Sequence, residues 1–190
     1  MAEVLLFHHA QGLTPGVLSF ADRLRTAGHT VHTPDLYEGR TFADVEDGVQ
    51  HAFEVIGIDT VLQRGWDAAG GLPDTLVYAG FSLGTMSVRR LVQGRPGARG
   101  ALLYHAAPPS EDGSPWPAAI PLQVHAMEHD PWMEEDFDEA RRLAAEVDDA
   151  ELFVYPGRGH LFADDSLPDY DEEAAALLTE RTLTFLGRVG

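Results

Sequence analysis

The sequence predicts an α/β protein, a three-layer sandwich with a mostly parallel sheet of about six strands covered by helices on both faces. Two observations carry this. Short continuous apolar runs recur along the 190-residue chain, and such runs mark strands buried on both faces, as parallel strands are. Between them lie stretches with apolar residues at helical spacing. The two kinds alternate from end to end, which calls for crossover connections and two covering layers. No repeat, linker or shift in composition divides the chain, so a single domain over residues 1–190 is expected.

Val4-Leu5-Leu6-Phe7-His8 is the first apolar run, and His8-His9-Ala10-Gln11-Gly12 follows as a loop. From Pro15 to Ala27, Val17, Phe20, Ala21 and Leu24 have helical spacing, and Gly28 closes the helix. Thr30–Thr33 is a short strand leading into the loop Pro34-Asp35-Leu36-Tyr37-Glu38-Gly39. Phe42, Val45, Val49, Phe53 and Ile56 predict one helix face, and a second helical piece runs from Asp59 to about Ala69. Leu76–Ala79 and Gly100–Tyr104 are strands, with a helix from Leu83 to Val92 between them. Ala106–Ala118, rich in Pro, Ser and Gly, reads as a loop over the strand ends. Ile120–His125 is a strand; Met133, Phe137, Ala140, Ala144 and Val147 predict a helix. Leu152–Tyr155 is the last strand, and Ala174, Leu178, Phe185 and Val189 set the final helix against the core.

Composition excludes several classes. The net charge is −18, and all 13 basic residues are arginine, which argues against nucleic-acid or anionic-membrane partners, since phosphate contacts need a basic face. With no cysteine, disulfides, thiolate metal sites and a cysteine nucleophile are excluded. The N-terminus lacks a basic region before a long apolar run, so no signal peptide is read there. No apolar run approaches the length of a membrane span, and a cytoplasmic protein is expected.

The chemistry centres on Gly80-Phe81-Ser82-Leu83-Gly84, a Gly-x-Ser-x-Gly pattern between a predicted strand and a predicted helix. A strand running straight into a helix must turn sharply. Glycines on both sides let the backbones approach without a Cβ between them. Such a turn presents the serine Oγ above the sheet, beside an N–H at the start of a helix. Serine is a weak nucleophile until a base takes its proton, and the base must be held in one tautomer by a third group. After such an elbow the acid and then the base follow along the chain. His105, His125, His129 and His160 lie downstream of Ser82. His160, in a Gly-rich loop after the last strand, is the best base. His105 comes too early in that order, and His125 reads as a core histidine. The acid belongs in the loop after the penultimate strand, where Asp130 precedes a proline, with Glu128 in reserve; a helix N-cap is the plainer reading of Asp130. The oxyanion donors are assigned as the backbone N–H groups of Leu83 and Ala10.

In these motifs the sequence resembles the dienelactone hydrolase family of α/β-hydrolases. The resemblance rests on the His9–Gly12 turn, Pro34-Asp35-Leu36-Tyr37, Gly80–Gly84, the Asp130 loop and Gly159-His160-Leu161-Phe162. It implies hydrolysis of an ester or lactone through an acyl-enzyme, with no metal and no organic cofactor, on the α/β-hydrolase fold. There are departures. The family's usual nucleophile is cysteine, where this chain has Ser82. His9 stands where the family often has a glutamate contacting the nucleophile. Of the two arginines that hold the dienelactone carboxylate, one falls near Arg40 and the other on Asp164, whose charge would repel an anionic substrate. His9, Tyr37, Arg40, Trp132 and Phe162 are the candidate substrate-binding residues; Phe81, Met86 and Trp116 also fall near the predicted rim. The run Asp164–Glu173 reads as a solvated face. Two other functions compete: a non-catalytic small-molecule binding protein of the same fold, and a metal-assisted hydrolase using His8, His9, His105 and His129.

Overall fold

A computed structural model describes residues 1–110 and 113–190. Six strands form one parallel sheet: β1 (Glu3–Phe7), β2 (Thr30–His32), β3 (Val77–Phe81), β4 (Gly100–Tyr104), β5 (Leu122–Met127) and β6 (Ala150–Tyr155). Their spatial order is β2-β1-β3-β4-β5-β6. The chain steps outward from β1 to β2, then crosses back to β3. Sheets of this kind bind ligands beyond the C-terminal strand ends near such a reversal.

The helices are α1 (Pro15–Thr26), α2 (Val45–Gln50), α3 (Ile58–Ala69), α4 (Gly84–Gly94), α5 (Phe137–Glu146) and α6 (Glu172–Val189). Successive strand residues point to opposite faces, and the core divides accordingly. Val4, Leu6, Val77, Ala79, Phe81, Leu102 and Tyr104 pack with α1 and α6. Leu5, Phe7, Tyr78, Ala101 and Leu103 pack with α3, α4 and α5. The three-layer α/β architecture is therefore as the sequence predicts. No helix among the described residues is long and apolar enough to cross a membrane.

Most boundaries shift by a residue or two, and three departures have a clear physical reason. The strand expected at Ile120–His125 runs from Leu122 to Met127. Pro121 cannot donate to a ladder, and only its carbonyl is used, accepting the Ala101 N–H at 2.9 Å. The helix expected from Met133 starts at Phe137; Met133 is fully buried from the turn before it. The helix face expected from Phe42 to Ile56 forms only in part: Phe42 and Ile56 pack against the core, but Phe53 does not. After α2 the chain widens into a π-helical segment, His51–Ile56, which shifts the phase of the side chains. Gly48, His51 and Ala52 face inward, while Phe53 is exposed. Gly48 is required there because a Cβ would strike Ala10 O. Of the expected loop 106–118, residues 111 and 112 lie outside the described residues.

The two glycines around Ser82 are set by close approach. A Cβ on Gly84 would lie 2.6 Å from His8 O and 2.8 Å from Phe7 O, and one on Gly80 would lie 2.6 Å from Gly84 C and O. These neighbours are backbone atoms at the end of β1 and the start of α4 and cannot swing aside. Gly84→Ala is therefore expected to destabilise the fold by about 1–3 kcal/mol, read as a lower urea midpoint. An unchanged midpoint would show that α4 can move off β1 freely.

Candidate active site

Ser82 lies on the turn from β3 into α4 with φ +46°. Left-handed backbone at a residue with a Cβ costs of order 1–3 kcal/mol and persists only where the surroundings enforce it. Here Ser82 N–H donates to Tyr104 O at 2.7 Å, while Thr85 N–H and Oγ1 donate to Ser82 O at 2.9 and 2.6 Å.

Ser82 Oγ is 2.8 Å from His160 Nε2, and His160 Nδ1 is 2.7 Å from Asp130 Oδ2. A carboxylate only accepts, so Nδ1 carries the hydrogen of the neutral ring and Nε2 is left to accept the serine O–H. His160 and Asp130 are nearly buried, which strengthens their bond. The second oxygen of Asp130 accepts the Trp132 N–H at 2.9 Å. The N-cap position of α5 is filled by Asp136, not Asp130. On the other side, His160 N–H donates to Asp169 Oδ2 at 3.0 Å. No sequence pattern marked Asp169: its contact depends on how the 159–169 loop folds back.

The loop after β1 meets this chain of groups from the opposite flank. Gly12 N–H donates to His9 O at 3.0 Å; Gly12 has φ +91°, and a Cβ there would also strike Arg40 O. Ala10 is buried. Among the described residues no acceptor is bonded to the Ala10 or the Leu83 N–H. Buried N–H groups without partners are rare in folded proteins.

The candidate substrate-binding residues separate. Trp132 is exposed, with its ring 5.7 Å from that of His160. Arg40 is exposed, and its backbone forms the wall behind Gly12. Tyr37 is buried behind the loop, its ring 4.8 Å from His8 and 5.3 Å from His51. Phe162 is buried with its ring 4.6 Å from His105 and 5.1 Å from Tyr155. Phe81 is buried too, and Trp116 nearly so. Met86 faces a groove of about 620 Å³ between α3, α4 and residues 108–110 and 114–117, whose lining includes none of Ser82, Asp130 and His160.

His9 is fully buried, with both ring nitrogens engaged. Its partner is Asp164, which corrects one expectation. Asp164 is buried, not part of a solvated face, and its carboxylate is bonded by His9, Thr14 and Ser166. Burial pushes its carboxyl up, but the bonds from those three residues outweigh this and hold it below the usual carboxylate range. Burial pushes the His9 imidazole down, against the pull of Asp164.

The histidines considered as metal ligands fall apart. His8 bonds His9 O and the Leu36 N–H, His129 is exposed, and His105 is buried with its ring stacked on Phe81 at 5.6 Å. Among the described residues no group of three or more His, Asp or Glu side chains is placed to hold a metal ion. Of the residues the sequence singled out, Asp130, His160 and Ser82 are brought into one hydrogen-bonded chain.

Comparison with known proteins agrees with this architecture. The chain matches the dienelactone hydrolase family over residues 1–190. Among solved structures it is similar to a dienelactone hydrolase from Anabaena variabilis, at 16% identity and a TM-score of 0.70 over 100% of this chain and 87% of that one. A dienelactone hydrolase-like promiscuous phosphotriesterase from metagenomic libraries has 18% identity and a TM-score of 0.75, over 100% and 87% of the two chains. An esterase from Thermogutta terrifontis, phosphonylated by cyclosarin, has 17% identity and a TM-score of 0.65, over 100% and 83%. No curated protein matches the sequence. Likeness at these identities concerns the fold; the family match spans the whole chain, and the chain belongs to the dienelactone hydrolase family.

Proposed function

We propose that this hydrolase cleaves a small neutral ester or lactone through an acyl-enzyme formed on Ser82. The observation that supports it is the unbroken hydrogen-bonded chain Ser82–His160–Asp130, at 2.8 and 2.7 Å, based on a strained strand-to-helix turn. His160 Nε2 takes the serine proton as Oγ attacks the ester carbonyl. Asp130 holds the ring in the tautomer that can accept, and stabilises the imidazolium. The carbonyl oxygen becomes an oxyanion and receives the Ala10 and Leu83 N–H groups. His160 then returns the proton to the leaving alcohol as the C–O bond breaks. Water repeats the sequence on the acyl-enzyme and releases the acid. No cofactor enters these steps.

Neutral substrates fit the electrostatics. The Arg40 side chain is exposed, Asp164 lies beside His9, and the chain carries −18 overall. An anionic ester would meet repulsion without a fixed cation to offset it. Trp132 presents an exposed ring 5.7 Å from that of His160.

A fluorophosphonate probe, with the adduct located by mass spectrometry, tests this alongside p-nitrophenyl acetate turnover. An adduct on Ser82 together with turnover is expected. Neither adduct nor turnover would leave a binding protein of the same fold, and turnover without an adduct would move the chemistry off Ser82.

A further inference from the structure

The short loop that carries His160 also carries Asp164, which reaches across 155 positions of sequence to the loop after β1. Asp164 Oδ2 accepts the Nε2–H of His9 at 2.9 Å, and His9 Nδ1 accepts the Gln11 N–H at 3.2 Å. A ring that must donate on one side and accept on the other is fixed in one tautomer and one orientation. Ala10 lies between the two residues so bonded, and its N–H is the donor assigned above to the oxyanion.

Other contacts hold this loop from its far side. The Gln11 side chain donates to Phe42 O and Ala43 O at 3.0 and 2.7 Å, and Ala10 O closes on Gly48. The His9–Asp164 bond ties it instead to the loop bearing His160. Asp164 is anchored in turn. Its Oδ1 accepts the Ser166 N–H at 2.9 Å and the Ser166 hydroxyl at 2.6 Å, and its Oδ2 also accepts the Thr14 hydroxyl. His9 is fully buried and Asp164 is 3% exposed. A buried pair of this kind is a poor source of stability, since apolar residues of equal volume do as well. It supplies direction and distance, which apolar contacts do not.

We propose that His9 and Asp164 are positioning residues: a second Asp–His pair, beside the Ser82–His160–Asp130 chain, that sets the Ala10 N–H against the oxyanion and in register with His160. This rests on the serine-hydrolase reading. Neither side chain offers a free polar atom to a substrate, because every ring nitrogen and carboxylate oxygen is already bonded. The pair therefore acts on the transition state rather than on ground-state binding. Removing an oxyanion donor outright costs about 10²–10³ in turnover; a displaced donor costs part of that.

The test uses Asp164→Asn and His9→Gln. The first keeps the carboxylate's shape but puts an amide N–H₂ where one oxygen accepted. The second keeps a donor toward Asp164 but loses the acceptor for Gln11. For both, kcat with p-nitrophenyl acetate, counted per fluorophosphonate-titrated site, should fall roughly 10–100-fold with KM within roughly threefold. Affinity for a trifluoromethyl ketone, which forms an oxyanion on Ser82, should fall by the same factor as kcat/KM. A purely structural pair would lower the melting temperature or the yield of titratable sites and leave kcat per site and ketone affinity unchanged; that result overturns the proposal. If the wild-type protein shows neither adduct nor turnover, the serine-hydrolase reading itself fails. An active wild type with unchanged variants removes only the role of His9 and Asp164.

Discussion

Ser82→Ala is expected to reduce p-nitrophenyl acetate hydrolysis roughly 10⁴–10⁶-fold in kcat, with the fold intact, because the substitution removes one oxygen and adds nothing. His160→Ala should lose about as much, and the double variant should be no worse than either single one. Groups that act as one unit are lost together. Asp130→Asn is the more informative change. Its Oδ1 can go on accepting the Trp132 N–H, now bonded at 2.9 Å, while the new N–H₂ faces His160 Nδ1, 2.7 Å away. A donor there forces the ring's hydrogen onto Nε2, which then cannot accept the serine proton. A loss of roughly 10⁴ with little change in melting temperature is expected. Steady-state kinetics of the four proteins decides it. Losses that multiply in the double variant, or an Asp130→Asn enzyme within tenfold of wild type, would show that the three groups do not work as a unit.

The second large effect is on stability in mild acid. His8 and His125 are fully buried. Burial pushes the His8 imidazole from its ordinary value of 6.5 down to about 4, and that of His125 down to about 3. Each nitrogen also has a fixed task in the neutral ring. His8 Nδ1 donates to His9 O at 2.8 Å while Nε2 accepts the Leu36 N–H at 3.1 Å. His125 Nε2 donates to Gln123 Oε1 at 3.2 Å, leaving Nδ1, 2.8 Å away, to accept the Tyr155 hydroxyl. Protonation would turn an acceptor into a donor facing a donor.

Both groups are depressed in the folded state, so below 6.5 the unfolded chain binds protons that the folded one refuses. Their contribution to stability is whole above pH 6.5 and declines as the pH falls toward 4 and 3. At pH 5 the loss is about 2 kcal/mol for each, from about 1.4 kcal/mol per pH unit below 6.5. His9 and His105 are shifted in the same direction, again by burial. The pair alone makes about 4 kcal/mol, a large share of the 5–15 kcal/mol typical of a folded domain. Urea unfolding at pH 7 and pH 5 measures it. Equal free energies at the two values would mean that these histidines are not held neutral.

The sequence by itself determined the layers and the succession of strands and helices along the chain, and pointed to Ser82, Asp130 and His160 as residues past strand ends; the fold brings these three within hydrogen-bond distance. What the sequence determined is written in local terms: apolar runs, helical spacing, glycines around a turn, and titratable residues just past strand ends. Alternation of strand and helix leaves few topologies, and a parallel sheet gathers the ends of its strands on one edge. Local pattern failed where a contact spans the chain. Asp164 sits in an acidic run, and nothing nearby distinguishes it from Asp165; only the fold sets it against His9 and Thr14, which lie at the other end of the sequence. Tyr37 and Phe162 have the composition of a pocket rim, but the tertiary structure turns both into the interior. Phe53 leaves the expected face because a π-helical segment abandons the 3.6-residue period of an α-helix. Charge burial, side-chain direction and helix phase are settled by what packs from elsewhere in the chain, and that information is not local.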